Sequence, residues 1–255
     1  MGDNKSYNMR RYYPIFVDLV GRPCVVVGGG SVAQRKARSL VASGALVTVI
    51  SPRQTPGIIS LAAKGRLTLV ARRYKKGDVK GAFLVIAATD SEETNRAIAE
   101  EARLGKAMVN VVDSPLLCDF IAPSVVLRGP LALAISTSGA CPALAKKLRK
   151  DLEKVIGKEY AIFTDMLAVV RDNLLKNRVG RVKKERIIKT LINSPAVEWI
   201  KAGQVNRLER YIDKLVKRES SPLTPTLSPK GRGSKGEAPP LFSRGGWVGS
   251  GRKRK

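Results

Sequence analysis

The sequence contains no histidine, and it contains few cysteines. Imidazole is the commonest general base and metal ligand in proteins, so proton transfer here must use Asp, Glu, Lys, Tyr or Cys. Cys24, Cys118 and Cys141 are odd in number and widely spaced. This spacing favours neither a disulfide framework nor a metal site, and Cys118 and Cys141 are interpreted as packing residues. We therefore expect a reducing, cytoplasmic environment and no metal ligands.

Long apolar runs and acidic residues are also scarce. No run approaches the roughly 20 apolar residues that span a bilayer. The N-terminal stretch MGDNKSYNMRRYY lacks the apolar segment of a signal peptide. Lys and Arg number 47 against 21 Asp and Glu, a net charge of +26. This surplus indicates a polyanionic partner, such as nucleic acid, anionic lipid or an acidic small molecule.

The first half of the chain alternates short apolar runs with helical patterns. Strands are predicted at residues 24–27, 46–50, 67–70, 83–88 and 108–112, and helices at 32–43 and 94–104. Strands separated by helices of this length predict a parallel sheet with crossover helices. The fold class is therefore α/β, with a Rossmann-type parallel sheet domain.

The pattern changes after Asp113. Apolar runs at 120–127 and 131–136, joined by Arg128, Gly129 and Pro130, predict a hairpin. Pro142 opens a helix that Gly157 is expected to interrupt or end, and basic helices follow. We predict a Rossmann domain at 1–115, a strand-rich dimerisation region at 116–142, a helical domain at 143–218 and a disordered basic tail at 219–255.

A glycine-rich loop follows the first predicted strand. The run Gly28-Gly29-Gly30-Ser31-Val32-Ala33 fits G-x-G-x-x-A. In a dinucleotide site the first glycine permits the turn, the second admits the pyrophosphate, and the alanine allows close helix packing. The alternative is a strand–helix turn that needs small residues, but the surrounding βαβ pattern favours a dinucleotide site. The predicted cofactor contacts here are Gly28, Gly30, Ser31 and Val32.

The second predicted strand ends in Ser51-Pro52-Arg53, where an acidic residue usually holds the adenosine ribose. Arg53 is compatible with a 2′-phosphate and hence NADP, and equally with a solvated loop charge. The residues alone therefore leave NAD and NADP open. Ser51, Pro52 and Arg53 are predicted cofactor contacts, as is Thr89, which follows the fourth strand in the run Ala87-Ala88-Thr89-Asp90.

The glycine loop and its surroundings resemble the precorrin-2 dehydrogenase family, to which the siroheme synthases belong. The matching stretches are GRPCVVVGGGSVAQRKARSLVASGALVTVISP, FLVIAATDSEETN and MVNVVDSPLLCDFIAPSVVLRGPLALAISTSGACPALAKKLR. They cover about residues 12–152. The resemblance implies NAD as cofactor, oxidation of precorrin-2 to sirohydrochlorin and, in some members, insertion of Fe²⁺. It also implies a homodimer formed through the hairpin region.

This resemblance explains the basic charge without nucleic acid, because the tetrapyrrole substrate carries eight carboxylates. Basic residues at 146–150 and 178–189 are candidates for that surface, and ordinary solvated helix charges are the alternative. Two other functions remain open. One is a bifunctional enzyme that is also a sirohydrochlorin ferrochelatase. The other, less favoured, is a regulatory module that binds dinucleotide and nucleic acid.

Asp113 is the predicted catalytic residue. It follows the strand pattern MVNVV and so lies at the carboxyl edge of the sheet, where ligands bind in open α/β folds. It also matches the family's essential aspartate in NVVD. Without histidine, a carboxylate is the natural acceptor of the proton that dehydrogenation releases. The alternative is that Asp113 caps the turn before Ser114-Pro115. Asn110 and Asp119 are weaker candidates.

The loop Ser136-Thr137-Ser138-Gly139 precedes the helix at Pro142. Hydroxyl side chains at a helix start either cap the helix or bind carboxylates. The resemblance implies a functional serine in this loop, and Thr137 stands at that position. Ser136, Thr137 and Ser138 are therefore weaker, substrate-binding candidates.

Overall fold

The computed structural model describes residues 12–220 of the chain. They form two compact units. The first comprises the described residues up to Pro123 together with Ser136–Ala145, and the second comprises Ser124–Ile135 and the described residues from Lys146 onward. No helix within residues 12–220 is long and apolar enough to cross a membrane. The predicted four-part domain division stays a prediction, and its tail from residue 221 onward lies outside the described residues.

The first unit is built on a five-stranded parallel sheet. Its strands are β1 (Pro23–Val27), β2 (Leu46–Ile50), β3 (Thr68–Val70), β4 (Leu84–Ala87) and β5 (Met108–Val111). They lie in the order β3-β2-β1-β4-β5, and all pairs are parallel. Every residue of β4 is buried, as expected for a central strand covered on both faces. This sheet confirms the predicted Rossmann-type fold.

Helices α1 (Ser31–Ala42), α2 (Pro56–Ala63) and α3 (Glu92–Leu104) alternate with the strands. Ala33, Ala37 and Leu40 of α1 pack on one face of the sheet with Ile58 of α2. The α3 residues Ile98, Ala99 and Ala102 pack on the other face. The small side chains of α1 bring its backbone close to the strands, and this sets the position of the glycine loop that precedes it.

The apolar pattern of the sequence does not predict helix α2. It is only eight residues long, and Gly57 in its first turn weakens the helical pattern. The signal was Thr55-Pro56, because Pro is favoured in the first turn after a Ser or Thr. A Cβ at Gly57 would meet the ends of the Gln34 and Arg38 side chains, which would have to move aside. Those two side chains therefore face α2.

The second unit contains the hairpin of β6 (Ser124–Arg128) and β7 (Leu131–Ile135), which are antiparallel. β6 begins at Ser124 rather than at residue 120, because Pro123 has no N–H for a ladder and Asp119 N donates to Val109 O, which holds that segment along β5 instead. Val126 is fully buried, whereas Leu127 on the opposite face is 61% exposed.

Five helices complete the described chain: α4 (Pro142–Val155), α5 (Glu159–Lys176), α6 (Arg181–Ile192), α7 (Ala196–Lys201) and α8 (Val205–Ser220). Gly157 separates α4 from α5, as predicted. Arg128 Nε donates to Ile156 O at 2.8 Å and so ties the hairpin to the end of α4. Met166, Ile187, Leu208 and their neighbours form the core of α5 to α8. Helix α8 continues two residues beyond the expected end of the helical domain.

Candidate dinucleotide and catalytic site

The carboxyl ends of β1 and β4 mark the point where the strand order reverses, which is where open α/β sheets bind ligands. The loops that follow these two strands touch. Gly28 has φ +127°, and a Cβ there would overlap the carbonyl oxygen of Ala88. Gly28 N also donates to Ile50 O at 2.9 Å. The first glycine of the motif is therefore required by the protein's own packing.

Gly29, the variable position of the motif, is just as constrained. A Cβ there would overlap the carbonyl oxygen of Arg53 and approach Ser51 Oγ. Gly29 O also accepts a hydrogen bond from Thr55 N at 3.0 Å. These contacts join the glycine loop to the loop after β2. The sequence motif does not specify Gly29, so pattern matching alone missed this contact.

Gly30 differs from both, because a Cβ there would meet nothing within 4 Å. It is the N-cap of α1, and no side chain caps the helix or places an acidic group in its first turn. The amides of exposed Ser31 and half-buried Val32 therefore lie at an uncapped helix start beside open space. A helix start with free amides and no side chain in the way fits a pyrophosphate.

The segment after β2 forms another side of the candidate dinucleotide site. Ser51 is buried, and its hydroxyl donates to Arg53 O at 2.6 Å. Pro52 and Arg53 are exposed, and the Arg53 guanidinium pairs with no carboxylate of residues 12–220. Ser51 thus shapes the loop, while Arg53 leaves a free positive charge at the position where the ribose of a dinucleotide binds.

Thr89 lies in the loop after β4, and its hydroxyl is 2.8 Å from Asn95 Oδ1. Asn95 Nδ2 in turn donates to Thr89 O at 3.0 Å. Asn95 is buried in the first turn of α3, whose N-cap Ser91 accepts from Thr94 N. Thr89 therefore holds this loop to α3 next to the glycine loop. Asn95 was not recognised from the sequence.

Asp113 stands two residues beyond β5, at the same edge of the sheet. Its φ is +59°, in the left-handed region that Asp and Asn tolerate better than most residues. The carboxylate is exposed and forms no hydrogen bond or ion pair within residues 12–220. The hydrogen bond that Asp113 would make if its side chain capped the turn is therefore not present among these residues. The carboxylate is free to contact a ligand.

The turn that carries Asp113 is held by Cys118. Its buried sulfur bonds both N and O of Val111, at 3.2 and 3.1 Å, and Ser114 O at 3.4 Å. Asn110 is also buried and donates to Phe120 O at 2.9 Å. Asp119 accepts from Val109 N and from Arg103. Asn110, Cys118 and Asp119 thus support β5, and their polar atoms serve the fold.

The hydroxyl loop before α4 combines hydrogen bonds between its own residues with a turn of positive φ. Thr137 Oγ1 accepts from Cys141 N at 3.0 Å, and Ser136 Oγ accepts from Ser138 N at 2.9 Å. Ser138 has φ +53°. Thr137 is therefore engaged in a hydrogen bond within the loop, while Ser136 is exposed. The structure gives these three residues local bonds, and their contact with substrate stays a prediction.

Within residues 12–220, no three His, Cys, Asp or Glu side chains cluster as metal ligands would. Cys24, Cys118 and Cys141 all lie within the described residues, and none of them forms a disulfide. Burial raises the pKa of the Cys24 thiol to about 11, which keeps it protonated. Cys24 packs on the face of the sheet that α1 covers, and Cys118 packs on the face that α3 covers.

Two family models match the chain in succession. The model described as putative NAD(P)-binding matches residues 15–124, and that of the sirohaem biosynthesis protein central region matches residues 128–154. The siroheme synthase of Methylobacillus flagellatus is 44% identical over 174 residues, which are 68% of this chain and 37% of that protein. That of Nitrosococcus oceani is 38% identical over 204 residues, 80% of this chain and 43% of that protein.

A solved structure described as SirC, precorrin-2 dehydrogenase, is similar over 80% of this chain and 100% of its own, with a TM-score of 0.66 and 27% identity. The chain belongs to the siroheme synthase family. It corresponds to the N-terminal dehydrogenase part, and it spans less than half the length of the two siroheme synthases above. As a member of this family it carries an NAD(P)-binding domain, to which the glycine loop belongs.

Proposed function

We propose that this protein oxidises precorrin-2 to sirohydrochlorin with NAD⁺ in siroheme biosynthesis. The observation that carries this proposal is the free carboxylate of Asp113, which lies at the same sheet edge as the open helix start at Gly30. The similarity to a structure described as a precorrin-2 dehydrogenase, over the whole of that chain, supports the choice of substrate.

The proposed mechanism divides two tasks between two loops. The glycine loop binds the pyrophosphate through the amides of Ser31 and Val32, and a bound nicotinamide supplies the hydride acceptor. Dehydrogenation removes a hydride and a proton from the tetrapyrrole, and Asp113 accepts the proton on its carboxylate. General-base catalysis of this kind contributes about 10²–10⁴-fold in rate.

The net charge of +26 suits a substrate with eight carboxylates. Part of that charge is internally paired. Lys147 and Arg149 of α4 form ion pairs with Asp151 and Glu153 one turn later. Arg181 and Arg186 of α6 pair with Glu185 and Glu219. Unpaired cations in the first unit, such as Arg53, contribute more directly to attraction of an anion.

We infer NAD⁺ rather than NADP⁺ from the family resemblance, although Arg53 would also accept a 2′-phosphate. Titration of both dinucleotides into the wild type and an Arg53→Ala variant tests this. Tighter binding of NAD⁺ by the wild type, with little change in the variant, supports the inference. A preference for NADP⁺ that disappears in Arg53→Ala contradicts it.

The direct test of the proposed function is NADH formation from precorrin-2, followed at 340 nm with and without Fe²⁺. Oxidation of precorrin-2 with no siroheme formed supports a dehydrogenase alone. Formation of siroheme on addition of Fe²⁺ supports the bifunctional alternative. Absence of both, with salt-sensitive binding of DNA or RNA, would support the regulatory module instead.

We also propose a homodimer and a cytoplasmic location. The hairpin of the second unit supports the dimer, because Val125 and Leu127 of β6 are exposed next to an unpaired strand edge within the described residues. Such edges are usually covered. Three cysteines that form no disulfide within the described residues are compatible with a reducing compartment.

A further inference from the structure

Lys36, in the second turn of α1, is a half-buried lysine that has no carboxylate partner among the described residues. Burial, followed by the positive charge of Arg35, lowers the pKa of Lys36. An ammonium that is partly removed from water and unpaired destabilises the folded state. Met or Leu would fill the same space without that cost, so a role for the charge itself has to be sought.

The position of Lys36 on the helix determines which strands it approaches. Gln34 and Arg38 face α2, which lies on the β2 side of β1. At about 100° per residue, Lys36 lies on the opposite side of α1 from these two residues. The strand order places β4 and β5 on that side. Lys36 therefore approaches the half of the sheet that ends in Ala88 and Asp113.

The direction of the side chain determines where along the strands the Lys36 ammonium lies. Side chains on a helix tilt toward its N-terminus, which for α1 is the carboxyl edge of the sheet. The ammonium is thus directed toward the carboxyl edge of the sheet, where Asp113 follows β5.

We propose that Lys36 binds a carboxylate of the tetrapyrrole substrate and holds that edge of the macrocycle beside Asp113. This proposal rests on the proposed function. A carboxylate is favoured over the cofactor pyrophosphate, because the open amides at the start of α1 already serve the pyrophosphate. The tetrapyrrole carries eight carboxylates, so one of them can lie beside each cation of the site. An ammonium close to the reacting centre would therefore fix the orientation of the macrocycle.

The test compares Lys36→Met with Arg35→Met, which removes the same charge from the neighbouring, exposed position. Affinity for sirohydrochlorin, the product, is measured by its visible absorption, and NAD⁺ affinity is measured separately. Loss of one charge-assisted hydrogen bond predicts about 10- to 100-fold weaker binding of sirohydrochlorin by Lys36→Met. Arg35→Met should bind it within about threefold of the wild type, and NAD⁺ affinity should be unchanged in both.

Three outcomes overturn the proposal: wild-type sirohydrochlorin affinity in Lys36→Met, an equal loss in Arg35→Met, or a loss confined to NAD⁺. Lys36→Arg keeps the charge and should retain most of the affinity, and it also serves if the Met variant does not fold. Thermal unfolding provides a second readout, since Lys36→Met should melt at or above the wild-type temperature if the charge serves binding. An inactive wild type refutes the proposed function itself, whereas an active wild type with an unaffected Lys36→Met refutes only the role of Lys36.

Discussion

Gly28 lies so close to Ala88 that a Cβ atom on the glycine would overlap the alanine's carbonyl oxygen. This contact joins the loops after β1 and β4 at the point where the strand order reverses. Gly30, two residues later, has open space where its Cβ would be. One three-glycine run therefore serves two purposes: Gly28 and Gly29 let the loops pack together, and Gly30 leaves room for a ligand.

The two glycines should respond oppositely to substitution. Gly28→Ala introduces the overlap with Ala88 at φ +127°, so we expect a loss of about 2–4 kcal/mol in the free energy of unfolding. Gly30 has the extended backbone of an N-cap, at which Asp is favoured. Gly30→Asp should therefore stay folded, melt at or slightly above the wild-type temperature and lose NAD⁺ binding, because its charge repels the pyrophosphate.

Denaturant unfolding and calorimetric titration of NAD⁺ check both variants. Gly30→Asn is the matched neutral control, since it caps the helix without the charge and should weaken NAD⁺ less than Asp does. Unchanged NAD⁺ affinity in Gly30→Asp would remove the basis for assigning the pyrophosphate to this loop.

Stability at acidic pH should depend on Asp78. Its carboxylate accepts two 2.7 Å hydrogen bonds from Arg72, which hold the pKa of Asp78 below its ordinary value of 3.8. A carboxyl group with a lowered folded-state pKa stabilises the protein above pH 3.8, and this contribution is lost as the pH falls through the folded-state pKa. The melting temperature of the wild type should therefore fall between pH 5 and pH 3 more steeply than that of Asp78→Asn.

Melting curves from pH 7 to pH 3 provide the measurement. Asp151 is a suitable control, since its ion pairs with Lys147 and Lys154 are exposed and should contribute little. If Asp78→Asn and Asp151→Asn change the acid dependence equally, the partly buried pair with Arg72 has no special effect.

The hairpin face should mediate self-association. Leu127 is 61% exposed on the face of β6 opposite to buried Val126. Leu127→Glu places charge on that face without disturbing the core, so light scattering at micromolar concentration should show a dimer for the wild type and a monomer for the variant. Leu104→Glu, at the exposed end of α3, is the control and should leave the dimer intact. A monomeric wild type contradicts the proposed assembly.

Removal of residues 221–255 should leave the melting temperature and activity nearly unchanged, since a segment rich in Ser, Pro and Gly makes few buried contacts. The cut belongs after Ser220, because α8 continues to that residue and Glu219 pairs with Arg186 and Arg218. A drop of many degrees, or loss of turnover in the truncated protein, would show that the tail supports the fold.

Apolar periodicity predicted the strands of the first unit to within a few residues, because buried parallel strands are continuous apolar runs. The same physics does not reveal α2, which is only eight residues long and contains Gly57 in its first turn. The start of β6 was also misplaced. Residues 120–123 are apolar enough for a strand, but the backbone of Asp119 pairs with Val109, and Pro123 cannot continue a ladder.

The candidate site was predictable where a residue type is dictated by local chemistry, as at Gly28 and Gly30. It was less predictable where the contact is distant in sequence. Gly29 against Arg53, and Asn95 against Thr89, depend on loops from different strands that meet at one edge. Lys36 was not recognised, because a half-buried lysine within a helix follows no motif.

Substitutions of Asp113 give the sharpest test of the proposed base, because its backbone conformation and its carboxylate can be changed separately. The left-handed φ of +59° is tolerated by Asn but costs about 1 kcal/mol for Ala. Asp113→Asn should therefore fold like the wild type, whereas Asp113→Ala should be slightly less stable. Neither variant can accept a proton, so both should oxidise precorrin-2 about 10²–10⁴-fold more slowly. NAD⁺ affinity should persist in both, because the glycine loop is unchanged.

Single-turnover formation of NADH and equilibrium titration of NAD⁺ separate the two demands. Comparable slowing in Asn and Ala, despite their difference in stability, identifies the lost carboxylate as the cause. Full activity in Asp113→Asn would instead mean that the residue serves only the turn, and the proposed base would have to be another group. Asp119→Asn is the control for loss of a carboxylate near β5. It converts one of the two oxygens that accept from Val109 N and Arg103 into a donor, so it should lower stability while leaving the rate of the folded enzyme within a few-fold of the wild type.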